Sequence, residues 1–118
     1  MGDVLRKKKK FSGAVFHYVQ AAEKAVKGLL YLFNLQPWGH SLQNLLVECE
    51  KLGISIPISL KTIAKGFVID YIASRYPDAS PAIPPRSAYD KQKANAVRSQ
   101  AKSFIDFVEQ EKEGRVKP

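Results

Sequence analysis

The sequence predicts an all-α protein, an antiparallel helical bundle of four main helices. Three observations carry this. Apolar residues recur at intervals of three and four in four separate stretches, the spacing that lines one face of a helix. Helix-stopping residues stand between the stretches: Asn34 and Pro37, then Gly53 and Pro57, then Pro77, Pro81, Pro84 and Pro85. No stretch alternates apolar and polar residues as a half-buried strand would.

The first stretch runs from Phe11 to Phe33. Phe11, Ala14, Val15, Tyr18, Ala22, Ala25, Val26, Leu29, Leu32 and Phe33 trace its apolar stripe. Asn34 is the expected stop, because asparagine tolerates the left-handed conformation that ends many helices. Asp3 is a plausible N-cap, which would carry the helix back through Arg6–Lys10. Five cations near the positive end of the helix dipole oppose this, so its first turns are expected to fray.

A second helix is expected from Ser41 to Leu52, with Leu42, Leu45, Leu46, Cys49 and Leu52 inward and Gly53 as terminator. The apolar segment Ile54–Ile58 contains Pro57 and has no strand to pair with, so it reads as a packed connection. The third helix is expected from Ser59 to Arg75, its buried side set by Leu60, Ile63, Ala64, Phe67, Val68, Tyr71 and Ile72. Prolines stiffen the next loop and lower the entropy lost on ordering it. Ser87 is the expected start of the fourth helix, with Asp90 three residues on in an approximate capping box. Tyr89, Val97, Ala101, Phe104, Ile105 and Val108 point inward, and Gly114 closes the helix.

The organisation that follows is a basic lead over residues 1–10, one helical domain over residues 11–111 and a polar tail over residues 112–118. A chain of 118 residues with 45% apolar content suits one compact domain. No apolar run approaches the ~20 residues that cross a bilayer, and no apolar signal segment follows the charged N-terminus. Cys49 is the one cysteine, so an internal disulfide is excluded and a reducing, cytoplasmic setting is expected. The net charge is +8. Setting aside Arg6–Lys10 leaves 14 basic against 11 acidic residues, a balance of +3. The lead therefore carries most of the excess, as an anion-attracting arm or simply a solvated one.

Arg75-Tyr76-Pro77-Asp78 is the most chemically pointed segment. Pro77 should stop the third helix and push Tyr76 out of the α region. That groups a guanidinium, a phenol and a carboxylate at a helix end, and a guanidinium fork suits phosphate or carboxylate oxygens. At about 100° per residue, Arg75 falls on the edge of the apolar stripe. The alternative role for Arg75 and Asp78 is to tie the proline-rich loop to the helix. The first helix has a second face, where Phe16, Gln20, Lys24, Lys27 and Tyr31 recur and Glu23 flanks them. Phe16, Gln20, Glu23 and Tyr31 suit a subunit interface; an exposed face stiffened by i,i+4 pairs is the other reading. His40 precedes Ser41 at a helix start, where it can meet an anion or fix a loop. Phosphate-loop, dinucleotide-fold and zinc-protease patterns are absent, so neither a metal nor a cofactor is expected.

Gln20-Ala21-Ala22-Glu23-Lys24-Ala25-Val26-Lys27, then Gly39-His40-Ser41, then Arg75-Tyr76-Pro77-Asp78, in this order between apolar helices, resemble the HEPN domain family from about Phe11 to Val108. Gln20, Glu23, Lys24, Lys27, Gly39, His40, Arg75, Tyr76, Pro77 and Asp78 match its recurrent positions. The resemblance implies a helical bundle that forms homodimers, linked to nucleotide or RNA chemistry. Many prokaryotic members act beside a minimal nucleotidyltransferase in two-component, toxin–antitoxin-like modules. Ribonuclease members use an arginine followed four to six residues later by a histidine. Here Arg75 is followed by Tyr-Pro-Asp-Ala-Ser-Pro-Ala, so that catalytic pair is missing. The expected function is a non-catalytic nucleotide-binding module. Arg75, Tyr76, Asp78, Lys24, Lys27 and His40 are its candidate phosphate-side residues. An RNA-cleaving toxin and a purely protein-interacting subunit are the alternatives.

Overall fold

The computed structural model describes the chain over residues 2–36, 41–75 and 90–116. Four helices follow in order: α1 (Gly2–Tyr31), α2 (Leu42–Lys51), α3 (Ile58–Arg75) and α4 (Lys91–Val116). The described residues contain no strand. α1 is continuous through the basic lead, so Arg6–Lys10 belong to its first turns. Its 30 residues extend about 45 Å at ~1.5 Å per residue.

The helix ends follow local chemistry. After α1, the Leu35 amide donates to the Leu30 carbonyl at 3.3 Å and the Asn34 amide to the Tyr31 carbonyl at 3.0 Å. Asn34 itself sits at φ 61°. This pairing satisfies carbonyls that the helix end would otherwise leave open. α2 ends the same way: Gly53, at φ 87°, donates to the Glu50 carbonyl at 2.9 Å, and Ile54 donates to the Cys49 carbonyl at 3.1 Å. Ser41 Oγ caps α2 by accepting from the Asn44 amide at 3.2 Å. The expected stops at Asn34 and Gly53 and the expected cap at Ser41 all hold.

Two ends differ from expectation. α4 begins at Lys91, not at Ser87. Asp90 is its cap, with Oδ1 accepting from the Lys93 amide at 2.8 Å; it is not the third residue of a box begun by Ser87, which lies outside the described residues. A carboxylate at that position meets the first amides and the dipole together. Gly114 does not close α4, which runs on to Val116. A glycine inside a helix costs only about 1 kcal/mol relative to alanine.

One core holds the helices together, built from Val15, Val19, Ala22, Val26, Leu29 and Leu30 of α1 and apolar residues of the other three. Phe67 of α3 and Phe104 of α4 are buried, with ring centroids 5.9 Å apart and planes at 43°. Val19 and Leu30 are fully buried although they lie off the expected stripe, whereas Leu32 is 54% exposed. α1 packs against all three other helices, so its buried arc is wider than one stripe. Leu32 falls in the turn after the helix, and Leu35 packs on the core in its place. Ile105, expected inward, is 37% exposed.

α2 and α3 run antiparallel: Lys61 Nζ meets Glu50 Oε2 at 2.7 Å near one end, and Val47 lies across from Ala64 further along. α4 is not α1's neighbour in sequence, and it lies beside α1 in the same direction. Tyr18 and Ala21 are level with Ala101–Ile105, and Gly28, ten residues on, is level with Lys112, whose Nζ would lie 3.6 Å from an added Cβ.

Candidate functional site

Of the Arg75-Tyr76-Pro77-Asp78 group, the structure places only the Arg75 backbone, as the last residue of α3. Tyr76 and Asp78 lie outside the described residues, as does His40. On the second face of α1, Lys24 and Tyr31 are exposed, while Phe16, Gln20, Glu23 and Lys27 are half-buried. Tyr31 is 54% exposed, a large aromatic surface at the end of the helix. Phe16 lies against His17, ring centroids 5.7 Å apart. Burial raises the Glu23 carboxyl above its ordinary range, and nearby Lys27 partly offsets this. Lys24 and Lys27 thus share a face with the residues expected at an interface, on a helix whose other side is core.

A concavity among the described residues lies elsewhere. A cleft of about 530 Å³ opens between α1 and α4, lined by Tyr18, Ala21, Asn95, Arg98, Ser99, Ala101, Lys102 and Ile105. Its depth follows from residue size. Ala21 and Ala101 leave room where two larger side chains would close the groove, and Ala101 is buried at its floor. Tyr18 is half-buried and packs on the core. Arg98 and Lys102 are exposed, one helical turn apart. Among the described residues neither is held by an ion pair or a side-chain hydrogen bond. The chemistry on offer is two cations, an amide, a hydroxyl and an aromatic ring over an apolar floor.

The charge on the cleft lining itself is positive, from Arg98 and Lys102, and the nearest acids in sequence, Glu23 and Asp106, lie just beyond it. α1 has no carboxylate between Asp3 and Glu23, and α4 has none between Asp90 and Asp106. The same stretches hold the five cations Arg6–Lys10 and four more: Lys91, Lys93, Arg98 and Lys102. Sequence reading did not single out Arg98 or Lys102. The signal available was the acid-free interval of α4, which gains meaning only when α4 lies beside the basic start of α1.

Cys49 is fully buried in α2. Desolvation, followed by the carboxylates of Glu111, Glu48 and Glu50, pushes its thiol up to about 11. It stays protonated at neutral pH and has no nucleophilic role there. No described group of three or more histidine, cysteine or carboxylate residues is arranged to hold a metal ion. No described helix is long and apolar enough to cross a membrane.

Comparison with curated proteins and with solved structures gave no match. The family model of the HEPN domain matches residues 3–111. That span takes in all but the last turn of the four helices described above, and the chain belongs to the HEPN domain family.

Proposed function

We propose that this chain is a non-catalytic, nucleotide-binding HEPN module that acts as a homodimer beside a minimal nucleotidyltransferase in a two-component system. The observation that carries the ligand class is the charge along α4: four cations and no carboxylate between Asp90 and Asp106, two of them, Arg98 and Lys102, lining the cleft against α1. Such a field raises the local concentration of anions and speeds their arrival. A nucleotide's phosphates match it. Arg75, at the end of α3, and Lys24 and Lys27 on α1 are further phosphate contacts in this reading, and Tyr76, Asp78 and His40 are further candidates from the sequence. The half-buried Phe16, Gln20 and Glu23, with exposed Tyr31, supply the dimer surface. The sequence after Arg75 has no histidine at ribonuclease spacing, which supports binding without cleavage.

Titration of a fluorescent nucleoside diphosphate, paired with light scattering, tests this. Saturable binding by a species of twice the monomer mass of 13.2 kDa is expected, with at least a fivefold loss on Arg75→Ala. RNA should remain intact on prolonged incubation. Failure of every nucleotide to bind or to raise the melting temperature would refute the ligand assignment, because a ligand selective for the native state must stabilise it.

A further inference from the structure

We infer that the α1–α4 cleft, and not the end of α3, is the principal phosphate site: Arg98 and Lys102 hold phosphate oxygens, and Tyr18 offers its ring to a base. The inference rests on the nucleotide-binding reading and gives it a location. Three independent features meet there. The cleft volume of about 530 Å³ lies within the ~300–1,000 Å³ common for small-molecule sites. Arg98 and Lys102 stand four residues apart on one face of α4, where neighbouring side chains lie about 5–6 Å apart at Cβ. They can therefore close on one phosphate group from two sides. The guanidinium supplies a planar fork and the ammonium a point charge. Tyr18 stands across the cleft on α1, and Asn95 and Ser99 add neutral hydrogen-bonding groups on α4.

Electrostatics favour occupancy over an empty cleft. Side chains this close lie well inside the ~8 Å Debye length at physiological salt, so Arg98 and Lys102 repel each other, with Asp106, four residues beyond Lys102 on α4, offsetting part of that charge. A phosphate replaces that repulsion with two charge-assisted hydrogen bonds. The same phosphate chemistry arrives on a free nucleotide or at a position along a nucleic-acid strand. A strand would also draw on the chain's wider positive charge, +8 overall.

The test compares wild type, the Arg98→Gln/Lys102→Gln double variant, Tyr18→Leu, Arg75→Ala and Lys65→Gln. The last removes one exposed cation on α3, away from the cleft. Probes are ADP, inorganic phosphate and a single-stranded eight-residue oligoribonucleotide, with circular dichroism and melting curves verifying the fold. The double variant should weaken ADP binding at least tenfold, and Lys65→Gln should change it by less than twofold. Tyr18→Leu should weaken ADP but not inorganic phosphate. An oligoribonucleotide whose affinity falls with salt in proportion to more than two phosphates, at a logarithmic slope of roughly −0.7 per phosphate, identifies a strand; equal salt dependence for ADP identifies a free nucleotide. ADP binding lost in Arg75→Ala but kept in the double variant would overturn the cleft assignment and leave the nucleotide-binding reading standing. An equal loss in Lys65→Gln would show diffuse attraction and overturn the cleft as well. No binding of any probe to wild type would overturn both.

Discussion

Replacing Asp90 tests how α4, which carries one wall of the cleft, is held at its start. The Asp90 carboxylate accepts from the Lys93 amide at 2.8 Å, and no other acid follows it in sequence until Asp106. Asp90→Ala removes both cap and charge. A lost cap costs about 1 kcal/mol, and a lost anion at a helix N-terminus about 0.3–1 kcal/mol, so the sum is roughly 1.5 kcal/mol. At ~2.1 cal/mol/K per residue, the unfolding entropy of 118 residues is about 0.25 kcal/mol/K. The expected fall in Tm is then about 6 °C. Asp90→Asn keeps a capping oxygen and loses only the charge, so Tm should fall by about 1–4 °C. Salt separates the two contributions: 0.5 M sodium chloride should shrink the Asn deficit and leave most of the Ala deficit. Calorimetry in low and high salt reads both. Equal deficits for Ala and Asn would refute the cap as the source of stability, and an unchanged Tm for Ala would refute the whole account.

Phe67 and Phe104 should behave as a coupled pair joining α3 to α4. Each phenylalanine-to-alanine change should cost about 3–5 kcal/mol in urea denaturation, with a coupling of about 0.5–1.5 kcal/mol in the double-mutant cycle; strict additivity would show that the rings do not act on each other. Cys49 should resist iodoacetamide in the native state and react fully in denaturant, as read by mass spectrometry. Its folded pKa, raised from 9.0 to about 11, also sets a sign. Between those values the unfolded chain loses the thiol proton and the native chain keeps it, so stability must fall as pH rises through that window. Cys49→Ala should flatten that fall, and an undiminished slope would place the alkaline sensitivity elsewhere.

The parts of the fold legible in the sequence are those decided within a few residues. Asn34 and Gly53 take a left-handed conformation that other residues resist, and Ser41 reaches an amide three positions away. No distant partner is needed, so the helix ends after α1 and α2 fall where the sequence puts them. Asp90 reads in sequence as the acidic partner of a box begun by Ser87, and its role as the cap itself depends on α4 beginning at Lys91. Burial was less legible because it depends on what surrounds a helix. Val19 and Leu30 are buried since α1 is enclosed by three helices, and Ile105 is partly exposed since its side of α4 borders an open cleft.

The candidate site illustrates the same limit more sharply. Arg75 drew the sequence reading because its neighbours in sequence are chemically suggestive. Arg98 and Lys102 have no such neighbours; they lie among valine, serine, glutamine and alanine. Their meaning comes from Tyr18, some eighty positions away in the chain, which lines the same cleft. A long helix can carry isolated cations at little cost while it is solvated. Laid beside a second basic helix, the same cations repel one another unless an anion is near. A fold that keeps α1 and α4 in parallel register therefore gives up some electrostatic stability when empty. On the proposed reading a phosphate would restore that stability, so ligand-induced stabilisation, strongest at low salt, is the thermodynamic signature expected of the α1–α4 cleft.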